Sequence, residues 1–505
     1  MAAEWSLRLS RRGAYPLPHP KALAIDHASM GVGIPQLPGA SEKGARPAWV
    51  SCSRHTLVVT RVPATLHEFD EFPDERAVLK TDLGQRLPTT SRPAAGHPET
   101  ARASVGFILL LAAVTAAGPV AMQIFLPALP MIQSSLHTSP GVAQLTLSLS
   151  MVAVAFSTLA YGPLSDRFGR RPVMLAGLLI LAAGSVICVL AQTIETLIAG
   201  RLVQSAGGAA GMVLSRAIAR DRFGALGATR VISQLTLVMV AAPMVAPALG
   251  GVLADAAGWR ATFVAVLGMS GLLWLLTLRG LPESHLVRAP SEVAKASAIA
   301  NLLEPFRAMP SLLRSRAFSA IVLQTAFTSS IFFAFISGAP YVMAHTLHRP
   351  PTEYGFYFVI VSSGFMVGNL LVLRFGLRLP PRRLLQIGAF ITLCGPALLT
   401  GVVLLDALTP LWLFMPMFLG SIGSGGVMPS AQAAAINLFP ERAGTASGVT
   451  GFLQMVFAAT ASQLVGLFIG ESIWPMLICM LVGGVGAVCA LYWQPVAQPV
   501  PHAAH

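Results

Sequence analysis

Charge is scarce in this chain. Asp, Glu, Lys and Arg make up 11% of its 505 residues, against 54% hydrophobic, where soluble domains carry about 25% charged residues. With a mean hydropathy of +0.68, that scarcity excludes an ordinary soluble globule and points to a chain embedded in a lipid bilayer. Acid is scarcer still, since ten of the 21 acidic residues fall within the first 103 positions. Cysteine is sparse too: Cys52, Cys188, Cys394, Cys479 and Cys489 show no CxxC or His/Cys spacing, so no metal or redox centre is expected and no cofactor is implied. There is no zinc-binding HExxH, no P-loop and no pair of mid-membrane carboxylates, which argues against an enzyme. The formal net charge of +13 does not indicate nucleic acid, because the arginines sit between apolar runs and form no continuous basic face.

Residues 1–103 are polar, rich in Arg, Pro and His, and hold no apolar run long enough to span. They read as a disordered cytoplasmic extension, or as the product of a start site assigned too far upstream. From Val105 onward, apolar runs of roughly 20 residues, enough to cross a bilayer, recur with short breaks. About twelve are legible: 105–126, 141–161, 172–191, 197–218, 230–253, 261–280, 317–341, 354–373, 384–405, 410–436, 443–469 and 472–493.

Arginines fall in every second connection, at 167/170/171, 216/220/222/230, 279–316, 374/378/382/383 and 442, with chiefly Arg260 and Arg349 between. By the positive-inside rule that alternation places both termini in the cytoplasm, as an even span count requires. The polar stretch 282–316 divides the spans into halves, 104–281 and 317–494, leaving 495–505 as a short tail. Arg167-Phe168-Gly169 after the second span is echoed by Arg374-Phe375-Gly376 after the eighth. A duplicated six-helix unit predicts an all-α transporter with its substrate path between the halves.

The stretch Gly162-Pro-Leu-Ser-Asp166-Arg167-Phe-Gly169-Arg170-Arg171 reads as a short arginine-rich loop, with Gly-Pro and Gly169 suited to chain reversal. It resembles the loop between helices two and three of the major facilitator superfamily. Three further stretches narrow the resemblance: Phe125-Leu-Pro-Ala-Leu-Pro130 ending span one, Arg201-Leu-Val-Gln204-Ser-Ala-Gly207-Gly208 in span four, and Ala242-Pro243-Met-Val-Ala-Pro247-Ala-Leu-Gly250-Gly251 in span five, followed by Gly258-Trp-Arg-Ala-Thr-Phe263. Together they are similar to the Bcr/CflA drug-resistance branch. The resemblance covers about residues 104–494 and implies the twelve-helix major facilitator fold. It also implies a monomeric drug:proton antiporter of the bacterial inner membrane, working on a small-molecule substrate and protons within the lipid bilayer.

The resemblance gives the loop, with Gly162, Asp166, Arg167, Gly169, Arg170 and Arg171, a gating role; the residues alone equally allow a static topological anchor. Arg201 lies inside the outer end of span four, where an uncompensated charge is costly, so it faces the interior with Gln204 one turn on, or snorkels to headgroups. The resemblance associates it with proton transfer. Pro243 and Pro247 should bend span five, with Gly250 and Gly251 beside the bend.

The branch commonly carries an acid where this chain has Gln123, and glutamine cannot carry a proton. The eleven acids after position 103 all fall in connections or near span ends. Coupling therefore runs through Asp221 or Asp255 placed a turn deeper than read, or through Arg201 and a water chain with His345 assisting, or the chain is a proton-independent facilitator or an importer of a small metabolite. A binding cavity should be apolar with a few polar groups; the candidates for those groups are Gln123, Gln144, Gln204, Gln234, Gln324, Asn369, Gln432 and Gln454, with Phe332 in the aromatic wall, a set that suits an amphipathic substrate.

Overall fold

In lipid every backbone N–H and C=O must be satisfied within the protein, so long apolar runs become helices. The computed structural model describes residues 50–53, 56–59, 105–284, 306–470 and 472–493. Two units divide the chain at Ala95. In the first, β1 (Val50–Ser53) pairs antiparallel with β2 (Thr56–Val59); the rest of the expected polar extension lies outside the described residues, as do most of the 282–316 connection and the 495–505 tail.

The second unit holds twelve helices long and apolar enough to span a bilayer. They are α1 (Val105–Ser135), α2 (Pro140–Phe168), α3 (Arg170–Leu190), α4 (Ile194–Gly224), α5 (Arg230–Ala257), α6 (Trp259–Gly280), α7 (Arg316–Thr346), α8 (Pro351–Phe375), α9 (Pro381–Leu404), α10 (Pro410–Leu438), α11 (Pro440–Phe468) and α12 (Trp474–Trp493). All twelve apolar runs read from the sequence are present as helices, several of them longer than the apolar run itself. Ser139, Thr193, Ser315 and Thr409 begin α2, α4, α7 and α10 as N-caps, each side chain accepting a backbone N–H three residues on. The matching threonine caps on α4 and α10, the fourth helix of each half, are local traces of the duplication.

Two expectations change. Gly162 to Phe168 is not loop: α2 continues through Gly162-Pro163, and the chain reverses at Gly169 alone, with φ +95°. Lengthening the helix removes the need for a Gly-Pro turn, because a single glycine in a conformation closed to other residues suffices. The echo at Gly376 is one of sequence only, since that residue is right-handed (φ −59°) and enters a short 3-10 turn. α5 keeps helical backbone angles through both prolines, as a proline-bent helix can, and the non-helical break that separates α4 from α5 is Gly224 (φ +63°). Pro247 has no N–H for the Pro243 carbonyl, and the Ser362 hydroxyl of α8 donates to that carbonyl at 3.4 Å instead.

The buried apolar side chains divide by depth. Toward the end of the bundle opposite the Arg167–Arg171 cluster, one cluster is shared by both halves, from Phe125, Leu129 and Leu147 to Phe335, Tyr354, Phe414 and Met476. Toward the arginine-rich end each half keeps its own: Leu111, Met174, Leu214 and Leu235 in the first, Phe318, Leu385, Val427 and Val449 in the second. The halves are joined at one end and separately cored at the other.

Candidate gating and coupling site

Arg201 sits in the second turn of α4 and is 1% exposed. It does not snorkel. Its guanidinium lies 4.0 Å from the Phe125 ring centroid and 5.9 Å from that of Phe263, a cation–π setting between α1 and α6. Nη1 donates to the Ala121 carbonyl at 2.9 Å and to Gln204 Oε1, and Nε reaches the Thr146 carbonyl at 3.4 Å. Gln204 passes the contact on, donating from Nε2 to Ser185 Oγ at 2.8 Å. Arg201 Nη2 has no hydrogen-bond partner among the described residues, nor has the buried Oε1 of Gln123 on α1. The guanidinium is held by carbonyls and rings, and one donor edge is uncommitted.

No described Asp or Glu is buried. Asp221 lies in the last turn of α4 and accepts from Arg170 Nε at 2.9 Å, and Asp255 lies in the last turn of α5, exposed. Neither is a turn deeper. His345 is exposed in the turn that ends α7, its ring beside Tyr341 at 6.1 Å between centroids, away from Arg201's contacts.

The joined end is closed by groups from both halves. Gln144 Nε2 on α2 donates to Ser337 Oγ on α7 at 2.9 Å and to Ser462 Oγ on α11 at 2.7 Å. Ser148 donates to Gln463 Oε1 at 2.7 Å, and Gln463 Nε2 donates to the Gly141 carbonyl at 2.8 Å. On the other flank, Asp255 Oδ2 accepts the Thr352 backbone N–H at 2.9 Å and its hydroxyl, capping the start of α8 from α5. Gly251 and Gly355 let these helices touch, since a Cβ on Gly355 would stand 2.7 Å from Ala248 Cα. Gly250 makes the same allowance toward the Ile124 carbonyl of α1.

At the arginine-rich end, Arg170 bridges Asp166 (2.6 Å) and Asp221, and Glu283, just past α6, accepts the backbone N–H groups of Arg170 (3.0 Å) and Arg171 (3.1 Å) at the start of α3. Arg167 lies over the Phe168 ring at 4.9 Å, and Gly162 has open space around it. Apart from Glu283, in the connection that follows α6, the residues named here belong to the first half. The positive φ of Gly169 and the Glu283 Oε2 atom 2.7 Å from where its Cβ would stand make a clear expectation. Gly169→Ala should cost about 1–3 kcal/mol and lower the unfolding midpoint in detergent; an unchanged midpoint would show that the Glu283 cap is dispensable.

The structure disperses the remaining cavity candidates. Gln144 belongs to the seal and Gln204 to the Arg201 cluster. Gln324 is buried and donates to the Leu385 carbonyl at 3.2 Å, and Asn369 donates to its own helix at Phe365 O. Gln454 approaches Met428 Sδ at 3.5 Å, Gln234 and Gln432 are exposed, and Phe332 packs edge-on against Phe333 and Phe358. Sequence reasoning missed Ser337, Ser462, Gln463, Thr352 and Glu283. The first three are ordinary helix residues whose role exists only once two distant helices meet.

Twelve helices in two duplicated halves, with polar groups bolting the halves together at one end, define a secondary-transporter architecture. The Major Facilitator Superfamily profile matches residues 109–462 and 323–504. An uncharacterized MFS-type transporter, YdgK, of Bacillus subtilis (strain 168) is 31% identical over 374 residues, covering 74% of this chain and 91% of the relative. A bicyclomycin resistance protein homolog of Haemophilus influenzae is 28% identical, covering 77% and 95%, and multidrug resistance protein D of Escherichia coli (strain K12) is 25% identical, covering 79% and 98%. Among solved structures, a D-xylose-proton symporter aligns with TM-score 0.58 at 15% identity over 77% of this chain and 96% of that one, likeness of fold alone. The chain belongs to the Major Facilitator Superfamily, in its Bcr/CflA-type drug-resistance branch. It is a multi-pass membrane transporter, not an enzyme.

Proposed function

We propose that the protein exports drugs or other amphipathic small molecules across the bacterial inner membrane by alternating access, coupled to proton entry, as a monomer. The carrying observation is the asymmetry of the cores: one end is joined through Gln144, Gln463 and Asp255, while the other end has two separate cores. The arginine-rich end is assigned to the cytoplasm by its charge, so the state described is closed to the outside. The resistance proteins among the relatives support a drug-like substrate. Arg201, with its free donor edge, is the group offered for coupling, and Gln123, Phe332 and the exposed glutamines are offered to the substrate. When the arginine-rich end closes in the alternate state, Asp166, 60% exposed, is available to cap a helix of the other half.

Reconstituted vesicles test this. Substrate addition under a pH gradient should move protons in the wild type and not in Arg201→Ala, and Asp166→Asn should slow transport. Transport indifferent to the gradient overturns antiport, and a wild-type rate in Asp166→Asn removes the latch. One observation favours a second reading, proton-independent facilitation: every described acid stands at a helix end, and buried Gln123 cannot titrate. Unchanged inhibitor tolerance in a pump-deficient strain would favour import.

A further inference from the structure

Between α2 and α11 runs a groove of about 300 Å³, lined by Leu145, Leu149 and Val152 on one side and Val456, Thr460 and Leu464 on the other, with Ser148 and Gln463 at its back. Helical phase shows which way it opens. On α2 the Gln144 and Met151 face looks into the shared core, and Ser150 and Tyr161 face α4 through its carbonyls. Leu145, Leu149 and Val152 lie on the remaining arc, which continues to Phe156, 52% exposed. Thr460 and Leu464 are exposed on α11. The groove therefore faces the bilayer, and its walls come one from each half.

Its polarity changes along its length. Gln463 and Thr460 stand toward the joined end; Gln463 commits one N–H to the Gly141 carbonyl and keeps the other. Deeper, Val152 and Val456 are apolar. One turn beyond Val152 and Val456, past the lining of the groove itself, lies an aromatic floor: Phe306, in the helical stretch 306–313 of the connection between halves, stacks on Phe156 (6.0 Å) and meets Phe452 edge-on (5.3 Å), and Phe156 meets Phe452 at 5.2 Å. Inward passage is blocked behind the groove by the Gln144–Ser337–Ser462 bonds, so it is a seat and not a portal in this state.

We infer that the groove seats one acyl chain of a phospholipid from the leaflet at the joined end, its ester carbonyl within reach of Gln463 and Thr460 and its chain lying on Leu149, Val152 and Val456 down to the Phe156–Phe306–Phe452 floor. Hydrocarbon is the medium that meets this surface, and a polar rim above an apolar trough ending in rings matches one lipid tail hung from an ester. Because the two walls belong to different halves, a chain in the groove favours the conformation in which they stand at this spacing. The inference rests on the bilayer-spanning fold and not on the export reading, so failure of either leaves the other standing.

The full chain, reconstituted with a phosphatidylcholine carrying a diazirine midway along one acyl chain, tests it. After irradiation, label should concentrate on peptides holding 145–152 and 456–464, on the order of fivefold above the lipid-facing peptides around Leu275 and Val482, since packed contacts outnumber those on a convex surface. Val152→Trp, and separately Val456→Phe, should remove that excess. Label no denser in the groove than at Leu275 and Val482, or an excess that survives in both folded variants, overturns the inference. The wild-type distribution decides by itself should neither variant fold.

Discussion

Arg201→Ala is expected to reduce transport at least about tenfold, the equivalent of about 1.4 kcal/mol, and to lower thermal stability as well. Truncation removes the donors to the Ala121 and Thr146 carbonyls and to Gln204 Oε1, and each buried acceptor left unsatisfied costs about 1–3 kcal/mol. It also empties the space against the Phe125 and Phe263 rings. The Ala121 carbonyl matters most, because it lies in the last turn of the helical stretch ending at Gln123, before the 3-10 turn Leu126–Ala128, where carbonyls lose their helix partners. Arg201 therefore holds the break in α1 as well as presenting a charge. Arg201→Lys separates the two roles: it keeps the charge but offers no planar fork to reach two acceptors at once. If coupling needs only charge, Lys restores proton movement at lowered stability; if it needs the fork, Lys fails in both. Wild-type transport and proton flux in Arg201→Ala would show that the residue is structural padding. The readouts are flux with and without a pH gradient, and the unfolding midpoint in detergent.

How much of this was legible in the chain follows the range of the interactions. Helices were legible because lipid leaves apolar runs no other way to satisfy their backbones, and the duplication because charge alternates and the connection 282–316 interrupts it. The three-residue spacing put Arg201 and Gln204 on one face, but whether Arg201 was buried or snorkelled was left open by the sequence. What was not legible is what docking decides. Gln144 meets Ser337 and Ser462 across sequence separations of 193 and 318 residues, and nothing local distinguishes a glutamine that bolts two bundles from one that lines a path. Asp255 was read for proton transfer, yet its place at the end of α5 makes it the cap of α8. The loop at Gly162 was misjudged because Gly-Pro is a turn signal in water-soluble chains, whereas helices in a packed bundle run through it.

Gly251→Val tests the joined end directly. A Cβ on residue 251 would stand 2.8 Å from both the Pro351 carbonyl carbon and Thr352 Cα, and closer still to the Pro351 oxygen. Those are backbone atoms, so relief requires α5 and α8 to part, not a rotamer to change. The two helices belong to opposite halves; under the proposed alternating access they part when this end opens, so the added side chain penalises the closed conformation and not the open one. Overpacking typically costs about 1–3 kcal/mol, and each 1.4 kcal/mol is tenfold in an equilibrium constant, so the closed state is disfavoured by about fivefold to a hundredfold. Spin labels at Ala256 and Arg349 are expected to report a longer distance in Gly251→Val than in the wild type, with transport falling at least as far as the closed population does. Gly271→Val on α6, where no atom lies within 4 Å of the added carbon, should change neither quantity. An unchanged distance with normal transport in Gly251→Val would mean that the α5–α8 contact is not the seal. Lengthening without loss of transport would mean instead that opening this end never limits turnover, and the Asp255 cap on Thr352 would then serve the stability of α8 and not the gating of transport.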